Sequence, residues 1–164
     1  MKIRHINEHD DLSAVSNVYE QSWKYAYKGI VPQSYLDSIP KGQWCKSLNN
    51  DSRYSLIMLD SNKIIGTSSF GASRFDEMSG YGEIISIYLL PEYIGKGFGL
   101  QLFQATAYEL KQMGYKNIFL WVLKDNTRAI SFYEHFGFKP SGKYLNDNIG
   151  GKALTEIQYI YNMK

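Results

Sequence analysis

Cysteine is nearly absent from this chain of 164 residues, since Cys45 is the only one. An internal disulfide is therefore excluded, and no Cys/His cluster supplies the three or four ligands that a zinc site needs. No apolar run approaches the roughly 20 residues that span a bilayer, and the first six residues lack the apolar region of a signal peptide. These absences predict a cytoplasmic protein without a metal and without a membrane partner.

A marked excess of one charge is also missing, because 18 Lys and Arg residues face 16 Asp and Glu residues. The basic residues are scattered, so the electrostatic footprint of a nucleic-acid-binding protein is not present. The chain has no internal repeat and no long Pro/Gly/Ser linker. A single domain spanning residues 1–164 is predicted, and a domain of this length buries roughly 70% of the surface of its unfolded chain.

Hydrophobic periodicity predicts a mixed α/β fold with helices on both faces of one sheet. Residues 83–90 and 118–123 are apolar on both alternating faces, which is typical of strands that are covered on both sides. The helix between them makes a strand-helix-strand crossover and so implies a parallel pair. The other strands are predicted over 2–7, 53–59, 63–70, 139–145 and 153–161, and the other helices near Leu12, Pro32, Trp44 and 126–136.

A glycine-rich loop follows the first of these apolar strands and opens the crossover helix. Ligands of open α/β sheets bind at this end of the strands. Gly95, Gly97 and Gly99 let backbone N–H groups approach a phosphate closely, and Lys96 adds a positive charge. The dinucleotide motif G-x-G-x-x-G fails because Leu100 stands at its third glycine, and the P-loop motif fails because Gly97 follows the lysine.

The segment Ile94-Gly95-Lys96-Gly97-Phe98-Gly99 resembles the pyrophosphate-binding motif of the GNAT superfamily of acyl-CoA-dependent N-acyltransferases, written Q/R-x-x-G-x-G/A. Ile94 replaces the usual Gln or Arg, so one side-chain contact is lost while the backbone cradle is kept. A second segment, 121–138, resembles the family segment whose Asn and Tyr lie beside the cofactor. Two motifs in the family's order make the resemblance specific.

The resemblance implies a mostly antiparallel sheet with a central parallel strand pair that is splayed apart by a bulge. It implies acetyl-CoA as cosubstrate and an amine as acceptor, which is a small molecule or a peptide, and it is compatible with a homodimer. The cofactor is expected against Ile87, Tyr88 and Leu89 of the central strand, against Ile94, Gly95, Lys96, Gly97, Phe98, Gly99 and Leu100 of the loop, and against Asn126 and Tyr133.

Two residues suit the acid and base steps of direct acetyl transfer to an amine. Glu83 is the charged residue of an otherwise apolar strand, where burial makes a carboxylate a stronger base. Its family counterpart takes the amine proton, commonly through water. Tyr133 lies about two helical turns after Asn126, on the same helix face, and its hydroxyl is the predicted acid. The alternatives are an ion pair or solvent exposure for Glu83 and a core-packing role for Tyr133.

Aromatic residues near the N-terminus are the candidates for acceptor contact, and Trp23 and Tyr27 are predicted to line the acceptor site. The simpler alternative is that both pack in the core. Two other functions stay open at this point. One is a non-catalytic acyl-CoA-binding regulatory module of the same fold, and the other is a nucleotide-binding domain that uses the glycine loop alone.

Overall fold

A single sheet organises this computed structural model, which describes residues 1–50 and 52–163. The strands within that range run in the order β1-β2-β3-β4-β5-β7-β6. Strand bounds are β1 Lys2–His5, β2 Tyr54–Asp60, β3 Lys63–Ala72, β4 Gly82–Leu89, β5 Asn117–Leu123, β6 Lys139–Ile149 and β7 Lys152–Asn162. Helix bounds are α1 Leu12–Ala26, α2 Gln33–Ser38, α3 Cys45–Leu48, α4 Phe98–Gln112 and α5 Thr127–His135, with short 3-10 turns at Asp76–Met78 and Pro91–Tyr93.

The central strands β4 and β5 are parallel, whereas every other neighbouring pair of these strands is antiparallel. They pair only at Gly82 with Ile118 and at Glu83 with Phe119. Just beyond this point the β3–β4 register shifts, and the extra residue in β4 is Ile85. A bulge of this kind bends a strand and increases its twist. The two strands therefore diverge, which confirms the mostly antiparallel sheet with a central splayed pair.

Helices cover both faces of the sheet, as the sequence predicted. On one face Val15 and Tyr19 of α1 pack against Ile57 of β2, with α2 and α3 beyond them. On the other face the buried residues Leu102 and Leu110 of α4 belong to the main core. None of the helices in the described ranges is long and apolar enough to cross a membrane.

Element boundaries differ modestly from the predicted ones, for local reasons. Asp11 is the N-cap of α1, because its side chain accepts a hydrogen bond from the N–H of Ser13, and the helix begins at Leu12. Strands β6 and β7 extend to a turn at Gly150 and Gly151, whose φ angles of 62° and 86° suit glycine. The first strand ends at His5, two residues earlier than predicted.

Candidate active site

A cavity of about 420 Å³ lies where β4 and β5 diverge. Residues 85–88 of β4 and 121–123 of β5 form its flanks. Its lining also includes Asn126 and Tyr133 from one face of the sheet and Trp23 and Tyr27 from the other. The gap between the strands therefore joins the two faces. It brings together six of the predicted site residues, namely Trp23, Tyr27, Ile87, Tyr88, Asn126 and Tyr133. A second depression of about 490 Å³, near Arg4 and Lys63, contains none of the predicted residues.

The glycine loop has the backbone geometry of an anion cradle. Gly95 and Gly97 have φ angles of 80° and 86°, in the left-handed region that side chains disfavour. A Cβ placed on either glycine meets no atom within 4 Å, so open space faces the loop. Gly97 is the N-cap of α4, and no side chain caps this helix. The first backbone N–H groups of α4 therefore lack intrahelical acceptors and suit a phosphate.

The remaining loop residues contribute through backbone and charge. Lys96 is exposed, with its Nζ 5.6 Å from the centre of the Tyr93 ring. Ile94 and Phe98 are half-buried and pack against the main core, whereas Leu100 is half-buried in the first turn of α4. The sequence therefore located the loop correctly, but Ile94, Phe98 and Leu100 offer no polar side chain to a ligand.

Residues Ile87, Tyr88 and Leu89 of β4 pair with β3, but none of them pairs with a described residue of β5. Ile87 and Leu89 pack against the main core, and Leu89 lies beside Gly99 of α4. The backbone edge of β4 that faces the gap is thus available to an extended ligand, as the family resemblance implies. Tyr88 points to the opposite face, where its ring lies 5.0 Å from that of Tyr19.

Glu83 is 1% exposed and its carboxylate is held by Arg74. Nε and the backbone N–H of Arg74 donate to Oε1 at 3.0 and 3.1 Å, and Nη2 donates to Oε2 at 2.7 Å. Arg74 lines the cavity, whereas Glu83 does not. The side chain is thus in the ion pair that the sequence left as an alternative to a catalytic base. Its role as the base stays a prediction.

Asn126 and Tyr133 occupy the α5 wall of the cavity. The Oδ1 of Asn126 accepts a hydrogen bond from the N–H of Ala129 at 3.3 Å, so the residue caps α5 and is fixed in place. Desolvation in the wall raises the pKa of Tyr133 well above that of a free phenol, and the nearby Tyr27 adds to the effect. Tyr133 therefore stays protonated at neutral pH, as a hydrogen-bond donor must.

The opposite wall is aromatic. The rings of Trp23 and Tyr27 meet edge to face at 4.8 Å, and Trp44 lies 5.6 Å from Trp23. Desolvation raises the pKa of Tyr27, with a hydrogen bond to Tyr88 acting in the opposite direction. Trp23 and Tyr27 thus line the cavity, and they also pack in a buried cluster with α2. Their contact with the acceptor stays a prediction.

The charged residues of the cavity lining, Arg53, Arg74 and Glu156, were not predicted from the sequence. Glu156 of β7 lies opposite Leu123 of β5, and its half-buried carboxylate faces the cavity. Burial raises its pKa, Asp147 raises it further, and Arg74 lowers it. The only available signal was a charged residue between Thr155 and Ile157 in a predicted strand, and that pattern is typical of any half-exposed strand.

The described residues contain no group of three or more His, Cys, Asp or Glu side chains arranged to hold a metal ion.

Residues 14–138 match the Acetyltransferase (GNAT) family. The chain is 31% identical over 153 residues to YuaI of Bacillus subtilis, an uncharacterized N-acetyltransferase, covering 90% of this chain and 86% of that one. It is 27% identical to the spermidine N(1)-acetyltransferase of Thermoplasma acidophilum, covering 92% of each chain. The structure of PaiA N-acetyltransferase of Thermoplasma acidophilum in complex with coenzyme A superimposes with a TM-score of 0.72 at 24% identity, covering 98% of this chain and all of that one.

Proposed function

The chain belongs to the GNAT acetyltransferase family, and from that premise we propose that it transfers an acetyl group from acetyl-CoA to a primary amine in one direct step. The observation that supports this most is the cavity that runs through the gap between β4 and β5. The protonated Tyr133 lines this cavity from one face of the sheet. The aromatic residues Trp23 and Tyr27 and the carboxylate of Glu156 line it from the other face. Donor and acceptor would therefore meet in the gap.

The residues present fit acetyl-CoA as cosubstrate. Gly95 and Gly97 leave open space in front of exposed N–H groups, which suits the pyrophosphate, and Lys96 adds a cation beside it. The free edge of β4 at 87–89 suits the amide groups of the pantetheine arm. When bound, acetyl-CoA supplies an activated thioester carbonyl. Because the Ile94 side chain supplies no polar contact, backbone N–H groups must provide most of the recognition of the pyrophosphate.

In the proposed reaction Tyr133 donates its hydroxyl proton to the departing sulfur. Its desolvated position raises its pKa and so keeps it protonated. The sequence assigns the base to Glu83, acting through water. In that role Glu83 would act while both of its oxygens accept hydrogen bonds from Arg74, and these bonds fill three of about four acceptor positions of the carboxylate. No nucleophilic Cys or Ser is required, since the amine attacks the thioester directly.

For the acceptor, we propose a cationic aliphatic amine such as a polyamine. The aromatic wall with Trp23 and Tyr27 suits an ammonium group, which is attracted to ring faces. The spermidine N(1)-acetyltransferase relative acts on a compound of this class. A peptide amine is the second candidate, because an enzyme named [ribosomal protein bS18]-alanine N-acetyltransferase from Haemophilus influenzae is 33% identical over 154 residues. The cytoplasmic location and the homodimer expected from the sequence remain part of the proposal.

The test combines acetyl-CoA titration by calorimetry with CoA release in the presence of an amine panel. The panel contains spermidine, a peptide with an N-terminal alanine and a neutral alcohol as control. Binding of acetyl-CoA and amine-dependent CoA release are expected from the wild type. Binding without release for any amine would instead support the non-catalytic module, and competition by ATP as effective as by CoA would support a nucleotide-binding domain.

A further inference from the structure

Glu156 is the carboxylate that lines the cavity among the described residues. Its position is fixed by β7, which pairs with β5 on one side and β6 on the other, so that Glu156 lies between Leu123 and Leu145. It is half-buried, and no described residue donates a hydrogen bond to its carboxylate. A desolvated carboxylate without a partner is costly unless a ligand pairs with it. The side chain is therefore in place for a cation that enters the cavity.

Glu83 and Glu156 differ in their hydrogen-bond partners and in their position relative to the cavity. Glu83 accepts three hydrogen bonds from Arg74 and lies outside the cavity lining. Arg74 lies in the lining, but its guanidinium is already committed to this pair. Its positive charge still acts on Glu156, though without a hydrogen bond. Of the two, only Glu156 lies in the cavity lining, and its oxygens accept no hydrogen bond from a described residue.

We propose that Glu156 binds the ammonium group of the acceptor amine and takes its proton. Trp23 and Tyr27 form the aromatic wall of the same cavity, so an ammonium group could pair with the carboxylate while its carbon chain contacts the rings. Tyr133 stands on the α5 side of the cavity. Base and acid would then act from opposite faces of the sheet, on the two sides of the thioester. This inference rests on the proposed function.

The charged groups around Glu156 favour this role. Asp147 of β6 and burial both make the carboxylate hold a proton more tightly, while Arg74 opposes them. The charge of Glu156 also reaches Tyr27 of α1, whose pKa it raises. A carboxylate with a raised pKa is a stronger base in its ionised form, which favours acceptance of a proton from an ammonium.

The proposed reaction conserves atoms and charge. The ammonium group loses one proton to Glu156, and the neutral nitrogen then forms the C–N bond while the C–S bond breaks. Tyr133 gives its proton to the sulfur, and its phenolate recovers the second proton from the acylated nitrogen. Glu156 finally releases its proton to water. The products are the acetamide, free CoA with a thiol, and one proton in solution.

The experiment compares Glu156→Gln with Glu83→Gln by the pH profile of kcat/KM for spermidine. Glu156→Gln is expected to lower kcat/KM about 100-fold or more and to remove the acidic limb of the profile. The rate of this variant should instead rise continuously with pH in step with the fraction of neutral amine, without the plateau that follows the acidic limb in the wild type. Glu83→Gln should keep the acidic limb, although its rate can fall because Arg74 is released. Acetyl-CoA titration shows that each variant retains the folded cofactor site.

Asp147→Asn is the matched control. It removes one charge near Glu156 but outside the cavity lining, so activity should persist and the acidic limb should move to lower pH. An acidic limb that survives in Glu156→Gln and disappears in Glu83→Gln would overturn the inference and identify Glu83 as the base. Failure of the wild type to release CoA with any amine would instead overturn the proposed function, so the two failures are distinguishable.

Discussion

Arg74 and Glu83 form a two-oxygen ion pair at the point where the central strands separate. The pair joins the loop between β3 and β4 to the last position at which β4 still pairs with β5. The carboxylate is 1% exposed, whereas the Arg74 side chain is 54% exposed. The pair therefore fixes the Arg74 loop to β4 beside the cavity.

Arg74→Gln should destabilise the protein by about 2 kcal/mol. Removing one partner of a buried pair costs about 3–5 kcal/mol, and solvent access to Arg74 reduces that figure. Urea denaturation measures the change, with Arg128→Gln on the exposed surface as control. The double variant Arg74→Gln with Glu83→Gln should be more stable than the single one. A single variant as stable as the wild type would show that the pair contributes no net stability.

The sequence predicted the central strand-helix-strand unit because its two strands are apolar on both faces. It also located the glycine loop, since a tight turn between a buried strand and a helix needs residues such as Gly97. The splay of β4 from β5 followed only from the family resemblance. The bulge that accompanies it at Ile85 lies in a uniformly apolar run and leaves no signal of its own.

The charged part of the site was less predictable, because it depends on contacts between distant segments. Arg74 lies in a polar run that reads as an ordinary loop, and its pairing with Glu83 depends on how that loop folds back. Glu156 reaches the cavity through the register of β7 on β5. The alternation of side chains within β7 does not reveal which residues of β5 lie opposite it, because the two strands are distant in the sequence.

Gly97→Ala should weaken acetyl-CoA binding far more than it weakens the fold. The left-handed φ of 86° costs a side chain about 1 kcal/mol, and the added Cβ meets no protein atom within 4 Å. The methyl group would project into the space that the phosphates need. Calorimetric titration should show at least a tenfold rise in the Kd for acetyl-CoA.

Gly114→Ala is the matched control for this change, at the other end of α4. Its φ is 95° and its surroundings are equally open, so the backbone cost is similar. Thermal unfolding should shift by comparable amounts in the two variants, while acetyl-CoA affinity changes only in Gly97→Ala. Equal affinities would remove the glycine loop from the cofactor site.

Glu20 is expected to hold the aromatic wall in place. Its Oε2 accepts from Ser16 Oγ at 2.7 Å and from the N–H of Gly42 at 3.2 Å, and Ser16 Oγ accepts from the N–H of Trp44 at 3.1 Å. Glu20→Ala leaves these buried donors without an acceptor, at a cost of about 2 kcal/mol. The KM for the amine should rise because Trp44 is released, while acetyl-CoA affinity changes little.

The exposed Glu8→Ala serves as control for Glu20→Ala and should alter neither quantity. Steady-state kinetics with both substrates varied, together with urea denaturation, gives the two readouts. A loss of stability without any change in the KM for the amine would place Trp44 outside the acceptor site.

Tyr133→Phe isolates the proposed acid step. No described residue hydrogen-bonds the hydroxyl, so its removal should leave the free energy of unfolding nearly unchanged. The value of kcat should fall about 100-fold or more, because proton donation to the sulfur is lost. Tyr161→Phe, whose ring stacks on Phe138 at 5.1 Å, is the matched control and should retain wild-type kcat.

The pH dependence of kcat adds a test with a definite sign. The protonated form of Tyr133 is the active one, and desolvation raises its pKa above the ordinary value of about 10. The raised pKa extends the protonated form to higher pH, so Tyr133 should produce no basic limb below about pH 10. A basic limb near pH 8 that disappears in Tyr133→Phe would mean that the phenol ionises in the working range. Tyr133 would then still act as the acid, but its pKa would lie below the ordinary phenol value and not above it, against the effect expected from desolvation.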